Sequence, residues 1–253
     1  MALSAQTNSI FGDSAYFLEF MKSISDCETF GCLETYLIST LEKFGIKRFA
    51  YHHIPSLGAI DVASFNVLNY GFPDAIITNF NEEQLHKVDP TLRIVMRQSQ
   101  PIWWGEIVFP KKLKPEEEAF IEDMIAQDFG EGITFPVFGP HGRNGFFSAG
   151  FGPTRPDYSQ YDINLIQMFY QVAHHRYSEL LMNGADKHQP LSNRECEILS
   201  WVARGKSNAV IAEILGLQNS SVVTYLERAF DKLGTNNRVT ATLRAMAIGE
   251  LEI

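Results

Sequence analysis

Residues Leu191–Leu243 read LSNRECEILSWVARGKSNAVIAEILGLQNSSVVTYLERAFDKLGTNNRVTATL, four short helical periods divided by glycines or polar breaks, with a tight turn ahead of the third. Ser192, with Glu195 three residues on, lets a hydroxyl and a carboxylate each satisfy an orphan backbone N–H at a helix start. Cys196, Leu199, Trp201, Val202 and Ala203 then supply an apolar stripe that must be buried. Gly205 stops this helix, and Ser207 can cap the next, whose Val210, Ile211, Ile214 and Leu215 lie on one face. Gly216 ends it, and after Leu217–Ser220 a third period brings Val222, Leu226, Ala229 and Leu233 to the core. The order is that of a helix-turn-helix. Any three amphipathic helices share the periodicity, so a small bundle with solvated charges is the bland alternative.

In a helix-turn-helix the outer face of the third period enters the major groove, and here it carries Val223, Thr224, Glu227, Arg228 and Asp231. Val223 and Thr224 can touch a thymine methyl, Glu227 can accept from a cytosine amino group, and Arg228 can bind guanine or phosphate. Arg204, Lys206, Lys232 and Arg238 fall near helix ends, where phosphates would pass, and are expected to fix register without reading sequence. This stretch closely resembles the C-terminal domain of the LuxR family of transcription factors. Leu191, Arg194, Glu195, Gly205, Lys206, Ile211, Ala212, Leu215, Val222, Lys232, Leu233 and Arg238 stand at the family's signature positions. The resemblance implies a sequence-specific DNA-binding regulator that acts as a homodimer on a near-palindromic promoter site. Gln218 replaces the family's usual serine at the start of the recognition helix, and Tyr225 a frequent histidine, so the helix cap is expected to move to Asn219 or Ser220.

The chain's 253 residues leave room for a second domain upstream of this reader. The net charge of -9 also lies upstream, because seven Lys/Arg face seven Asp/Glu from His188 onward. An acidic front half repels DNA, and a neutral back half needs its cations locally placed. Cys27, Cys32 and Cys196 have no metal-ligand spacing, the N-terminus lacks a secretion pattern, and no apolar run nears the roughly twenty residues that cross a bilayer. A cytoplasmic protein that does not enter the membrane is expected. Asn183–Pro190, NGADKHQP, reads as the linker, giving a sensor and dimerisation domain over 1–182, a linker over 183–190 and the DNA-binding domain over 191–253.

Upstream, helical periods between Ser14 and Phe44 precede strand-like segments at Arg48–Ile54, Ala63–Asn69, Ile133–Phe138 and Phe146–Phe151. Helices are expected at Pro115–Gln127 and about Ser159–Met182. This order predicts an α+β N-terminal sensor domain, an antiparallel sheet with helices packed on it, ahead of the all-α C-terminal helix-turn-helix domain.

Over about Ser14–Met182 the chain also looks like the autoinducer-binding domain of LuxR-type quorum-sensing receptors. Pro73, Asp89-Pro90, Pro101, Trp104 and Gly132 match the family's framework, whereas its ligand-binding tryptophan, tyrosine and a further aromatic are here Ile76, Phe80 and Leu85. The resemblance implies an acyl-homoserine lactone or another small signal molecule, with Asp89 accepting an amide N–H and Trp104 walling a ring. Two of the family's three ligand hydrogen bonds cannot form, which costs about 1–3 kcal/mol each unless Tyr70, Thr78 or Ser148 substitutes. Phe72 completes the candidate ligand-facing set. Asp89 reads equally as a turn cap before Pro90, and Trp104 as an ordinary core residue. Trp103 is expected to point the other way, by strand alternation.

His52-His53 and His174-His175 are adjacent pairs that project to different faces and make poor joint metal ligands. No phosphate loop and no nucleophile–base arrangement is visible, so neither cofactor nor enzymatic activity is expected, although an enzymatic front domain is the alternative from another class. RNA polymerase stands open as a further partner.

Overall fold

The computed structural model describes residues 14–59, 67–73, 76–78, 87–184 and 189–252. The chain divides into two compact units. The first holds α1 (Ser14–Ser25), α2 (Phe30–Leu41), β1 (Arg48–Ile54), β2 (Val67–Tyr70), α3 (Pro90–Val95), β3 (Ile102–Trp103), α4 (Pro115–Ala126), β4 (Glu131–Phe138), β5 (Asn144–Gly152) and, as far as Leu180, α5 (Gln160–Gly184). The second holds α6 (Asn193–Ala203), α7 (Asn208–Leu215), α8 (Asn219–Leu233) and α9 (Arg238–Ala247), together with residues 55–59 and Pro140–Arg143. The α+β front and all-helical back match the architecture read from the sequence. The expected strand at Ala63–Asn69 is seen only from Val67, the remainder lying outside the described residues.

In the first unit the strands form one antiparallel sheet in the order β2-β1-β5-β4-β3. Alternation assigns its two faces. Phe49, Tyr51 and His53 of β1, Ile133, Phe135 and Val137 of β4, and Phe147, Ala149 and Phe151 of β5 are buried on one face. Against them α5 brings Phe169, Tyr170, Ala173, His174 and Tyr177, all 2% exposed or less, at helical spacing. Phe147 and Tyr170 stack with ring centroids 4.4 Å apart, and the Tyr51 hydroxyl lies 2.8 Å from His174 Nδ1. Burial holds the Tyr51 phenol well above its ordinary value, so this hydroxyl keeps its proton. Ser159 and Asp162 start α5 reciprocally: the Ser159 N–H donates to the carboxylate and the Asp162 N–H to the hydroxyl.

The second unit is built by caps and one buried ion pair. Ser192 and Glu195 form the expected reciprocal cap of α6. Glu195, 3% exposed, also accepts from Lys232 Nζ of α8 at 2.8 Å, and the same ammonium donates to the Pro190 carbonyl at 3.0 Å. The expectation that Lys232 contacts phosphate is therefore corrected: its charge is spent tying the start of α6 to the end of α8. Burial alone would raise the Glu195 carboxyl, but hydrogen bonds from Lys232 and Ser192 outweigh it and hold the group below its ordinary value. Ile198, Leu199, Val202, Ile211, Ala212, Val222, Leu226, Ala229, Leu233, Ala241 and Ala245 close the core.

The apolar face of α7 is only partly covered. Ile211 and Ala212 are buried, whereas Val210 and Ile214 remain 39% and 43% exposed. An eight-residue helix offers two overlapping apolar stripes, and the packing of α6 and α8 selects the one through Ile211.

Replacing Lys232 with Met should leave Glu195 buried with one partner fewer and lower stability by about 2 kcal/mol at pH 7. Because the Glu195 pKa is depressed in the folded chain, the stabilisation is present above the unfolded carboxylate range. It is lost as pH falls through the folded pKa. Urea denaturation of the full chain should therefore show a gap between wild type and variant that shrinks at about pH 3, where an unfolded carboxylate is protonated. A constant gap would contradict the ionic account.

Candidate ligand cavity and nucleic-acid interface

The second sheet face borders a cavity of about 580 Å³ inside the first unit. Its floor is laid in rows by the strand register. Gly132 lies opposite Gly150, Thr134 and Ala50 flank Ser148, and Pro136 and His52 flank Phe146. Asp89, Thr91, Leu92 and Val95 of the α3 segment and Phe120, Ile121, Met124 and Ile125 of α4 build the walls, with Phe72, Ile76, Ile107, Phe109 and Phe129 between them. Arg93 Nη2 and Glu117 Oε1 meet at 2.5 Å and join the α3 wall to the start of α4, where Glu117 also accepts the Lys114 N–H.

Trp104 follows β3 in a short 3-10 turn, Trp104–Glu106, and its indole lies flat on the glycine row. A Cβ on Gly132 would fall 2.5 Å from the indole atoms, and one on Gly150 3.2 Å away, so side chains at either position would lift the ring. Trp104 Nε1 donates to Thr134 Oγ1 at 3.0 Å, and that hydroxyl lies 3.2 Å from Ser148 Oγ. Trp103 turns to the other face, buried beside Phe151 at 5.9 Å with the Arg155 guanidinium 3.8 Å over its ring.

Asp89 caps α3, its Oδ1 accepting the Thr91 N–H at 2.7 Å, while the residue also lines the cavity. The turn-cap reading of Asp89 is thus formed at a residue that also lines the cavity. Burial raises its pKa above the ordinary value, and hydrogen bonds from Thr91 and Leu92 offset only part of that rise. His52 is 8% exposed and stacks on Phe146 at 4.4 Å and 13°, and burial lowers its pKa to about 3, leaving the imidazole neutral.

Of the seven residues expected at a ligand, Asp89, Trp104, Ile76, Phe72 and Ser148 come together around this cavity. Tyr70 does not. It pairs with Phe49, which places it on the α5 side of the sheet, 46% exposed, so the expectation that it faces a ligand is corrected. Thr78 is exposed and outside the lining, while Phe80 and Leu85 lie outside the described residues. His52, Thr134 and the α4 side chains were missed. The alternation of Ala50 with His52 on β1 was a usable signal for the first, but naming Thr134 needed the register between strands. Among the described residues no group of three His, Cys, Asp or Glu is gathered to hold a metal ion, and no single helix is long and apolar enough to cross a membrane.

In the second unit α7 and α8 turn by 109° at the break between them, within the range of a helix-turn-helix. Gly216 makes the turn at φ 64, where the Leu217 N–H reaches back to the Ala212 carbonyl. The expected shift of the α8 cap is corrected: α8 begins at Asn219 with Gln218 as its cap and no side-chain cap bond. Val222, Leu226, Ala229 and Leu233 are buried as read, which leaves Thr224, Glu227, Arg228 and Asp231 exposed and Val223 half-buried on the outer face. Thr224 Oγ1 donates to the Ser220 carbonyl, so its methyl is the part that projects. Arg228 lies 5.9 Å over the Tyr225 ring.

Lys206 is exposed in the loop between α6 and α7, and its carbonyl accepts from Arg238 Nη2 at 2.6 Å. Arg238 therefore braces the backbone that presents Lys206. Arg244, absent from the sequence reading, donates to the carbonyls of Leu233 and Gly234 and closes the end of α8.

The autoinducer binding domain model matches residues 33–177, and the model of bacterial regulatory proteins of the luxR family matches 189–245. A putative HTH-type transcriptional regulator, y4qH of Sinorhizobium fredii, is 27% identical over 216 residues, covering 83% of this chain and 65% of the relative. The transcriptional activator protein AnoR of Acinetobacter nosocomialis is 27% identical over 218 residues, covering 84% and 89%. Two solved structures of SdiA, one named as that of Escherichia coli and one in complex with octanoyl-rac-glycerol, share the fold at TM-score 0.67. Their identities are 20% and 18%, and they cover 93% of this chain and 98% and 95% of theirs. With more than half of its length under the autoinducer-binding model and its helix-turn-helix under the second, this chain belongs to the LuxR family of transcriptional regulators.

Proposed function

We propose that the chain is a cytoplasmic, homodimeric, sequence-specific regulator whose 1–182 sensor domain binds a small amphiphile and whose 191–253 domain reads a near-palindromic promoter. The observation that carries the reading is the cavity: an apolar volume of about 580 Å³ with a few converging polar groups, Asp89, Thr134, Ser148 and Trp104. That composition suits an acyl chain with a compact polar head. Both an acyl-homoserine lactone and an acylglycerol, the ligand named for the SdiA complex, have this form. Ile76 borders the cavity and offers no hydrogen bond, so the head must be held by Asp89 and the hydroxyl pair, with Trp104 as a flat wall. A dimer follows from reach, because one 15-residue helix reads too few base pairs to select a site.

Thermal shift tests the sensor. A saturating cognate amphiphile, at 100 times its dissociation constant, adds about 2.7 kcal/mol. Octanoyl-rac-glycerol or a member of an acyl-homoserine lactone panel should therefore raise Tm by about 5 °C or more. Gly132→Val, which displaces the indole, should abolish the shift. No shift with any compound would favour a purely dimerising front domain.

On DNA, Arg228→Ala should relax selection at one base position by about 1–3 kcal/mol in a binding selection from random duplexes. An unchanged selected motif would remove Arg228 from the groove. Lys206→Ala should weaken all duplexes alike and reduce the slope of log affinity against log salt by about 1. An unaltered slope would exclude Lys206 from the phosphate contacts.

A further inference from the structure

The turn between α1 and α2 brings together two of the three cysteines of the chain. Its backbone is closed at both ends. The Cys27 N–H donates to the Ile24 carbonyl at 3.2 Å as α1 finishes, and Thr29, in extended conformation, caps α2 by accepting the Cys32 N–H at 3.2 Å. The Cys27 carbonyl accepts from Arg176 Nε of α5 at 2.6 Å, which fixes the turn on the helix that covers the sheet. In a hydrophobic staple the residue before a cap meets one five positions later on the first turns of the helix. Cys27 and Cys32 have that separation, set one residue earlier, and the side chains that meet are two thiols in hydrogen-bond contact.

The two thiols differ in access. Cys27 is 1% exposed, whereas Cys32 is open to solvent on the first turn of α2. Burial, and then the hydrogen bond and charge of Cys32, push the Cys27 thiol up to about 12, so it stays protonated at neutral pH. An oxidant arriving from solvent therefore meets Cys32 first. The third cysteine, Cys196, belongs to the second unit and is half-buried, and its thiol is raised by burial and by the Glu250 and Glu195 carboxylates. It serves as an internal reference for the pair.

We propose that Cys27 and Cys32 form a redox modification site of the sensor unit, converted by hydrogen peroxide into an intramolecular disulfide. The Cys32 thiolate attacks the peroxide, breaking the O–O bond and forming an S–O bond; the hydroxide released takes up the proton that the thiol gave up. Once Cys32 carries a neutral sulfenic group, its charge no longer opposes ionisation of Cys27. The Cys27 sulfur then displaces the hydroxyl to form the S–S bond, and its proton leaves with that hydroxyl as water. Two thiols are thereby oxidised by two electrons, and one peroxide is reduced to two waters. Bond formation brings sulfurs already in contact to about 2.05 Å. In the reducing cytoplasm proposed above, such a bridge is transient and is reopened by thiol exchange.

The test treats the reduced full-length chain with hydrogen peroxide, unfolds it in N-ethylmaleimide to block the remaining thiols, and maps the cysteines by mass spectrometry. Trypsin leaves both residues on the peptide 23–43, and cleavage after Glu28 separates them unless they are bridged. In wild type this peptide should lose two hydrogen atoms and escape the maleimide, and its halves should stay joined after the cut. Dithiothreitol should restore both thiols, and Cys196 should be alkylated throughout. Cys27→Ala removes the resolving thiol, with Cys27→Ser as the second choice should the first variant fold poorly. In the folded variant dimedone should trap the Cys32 sulfenic acid at least about tenfold more than in wild type, where the intramolecular step outruns the trap. Cys32→Ser, at an exposed position, should leave Cys27 reduced under the same treatment. The proposal is overturned if both thiols of wild type stay reduced, or if Cys32 passes to sulfinic acid with Cys27 still alkylated. A bridge to Cys196 or to a second copy of the chain, or oxidation of Cys27 as readily in Cys32→Ser as in wild type, overturns it equally.

Discussion

The constraint on which the sensor unit depends is the two-residue alternation of its sheet. On β1, Phe49, Tyr51 and His53 enter a packed aromatic core under α5, while the intervening Ala50 and His52 border the cavity. A slip of one residue would exchange the two sets, placing tyrosine and phenylalanine in the cavity and alanine under the helix. Three features pin the register: the long β4–β5 pairing, the tightly packed Tyr170–Phe147 stack, and the glycine row that admits only a flat indole. The packed face thus supplies the rigidity with which the other face can hold polar groups at fixed spacing.

The helix-turn-helix unit works on a different principle, local closure of helix ends. Lys232, Arg238 and Arg244 all spend donors on backbone carbonyls, at Pro190, Lys206 and at Leu233 with Gly234. These are places where the chain leaves one helix or enters another. The net effect is that the outer face of α8 is presented by a frame whose loops are tied, so Arg228 and Glu227 project from a fixed axis. The evenly balanced charge of this unit then takes on meaning. Part of its positive charge is internal, which leaves few exposed cations, Lys206 and Arg204 among them, for the phosphate contacts proposed above.

How far the sequence could be read follows the range of the interactions involved. Helix starts and stops are written within four residues, so the Ser192–Glu195 cap, the Gly216 turn and the buried face of α8 were all legible. Lys232 was misread because charge position along a helix says nothing of a carboxylate 37 residues away. The exposure of Val210 and Ile214 was not legible, because periodicity identifies a stripe but not which of two overlapping stripes the neighbours cover. In the sensor unit the framework residues marked the cavity, yet Tyr70 fell on the wrong face and Thr134 escaped notice. Both depend on which residues lie opposite across strands, and strand register is set by contacts distant in sequence.

The polar chemistry of the cavity is partly spent before any ligand arrives. The indole N–H of Trp104 is given to Thr134, whose hydroxyl in turn meets Ser148, and an Asp89 oxygen is given to the Thr91 N–H that starts α3. A head group therefore gains only the surplus. Asp89 also accepts from Leu92, yet a carboxylate has about four acceptor sites and keeps capacity beyond these bonds, and the two hydroxyls can rotate to offer a donor or an acceptor without breaking the indole bond. This favours a head able to accept from a hydroxyl and donate to a carboxyl group within a short span, and it disfavours one that requires the indole N–H for itself. With Ile76 supplying only apolar surface, the affinity of the proposed amphiphile would come mainly from burying its apolar part against the aromatic walls, and selectivity from the few polar groups whose spacing the sheet fixes.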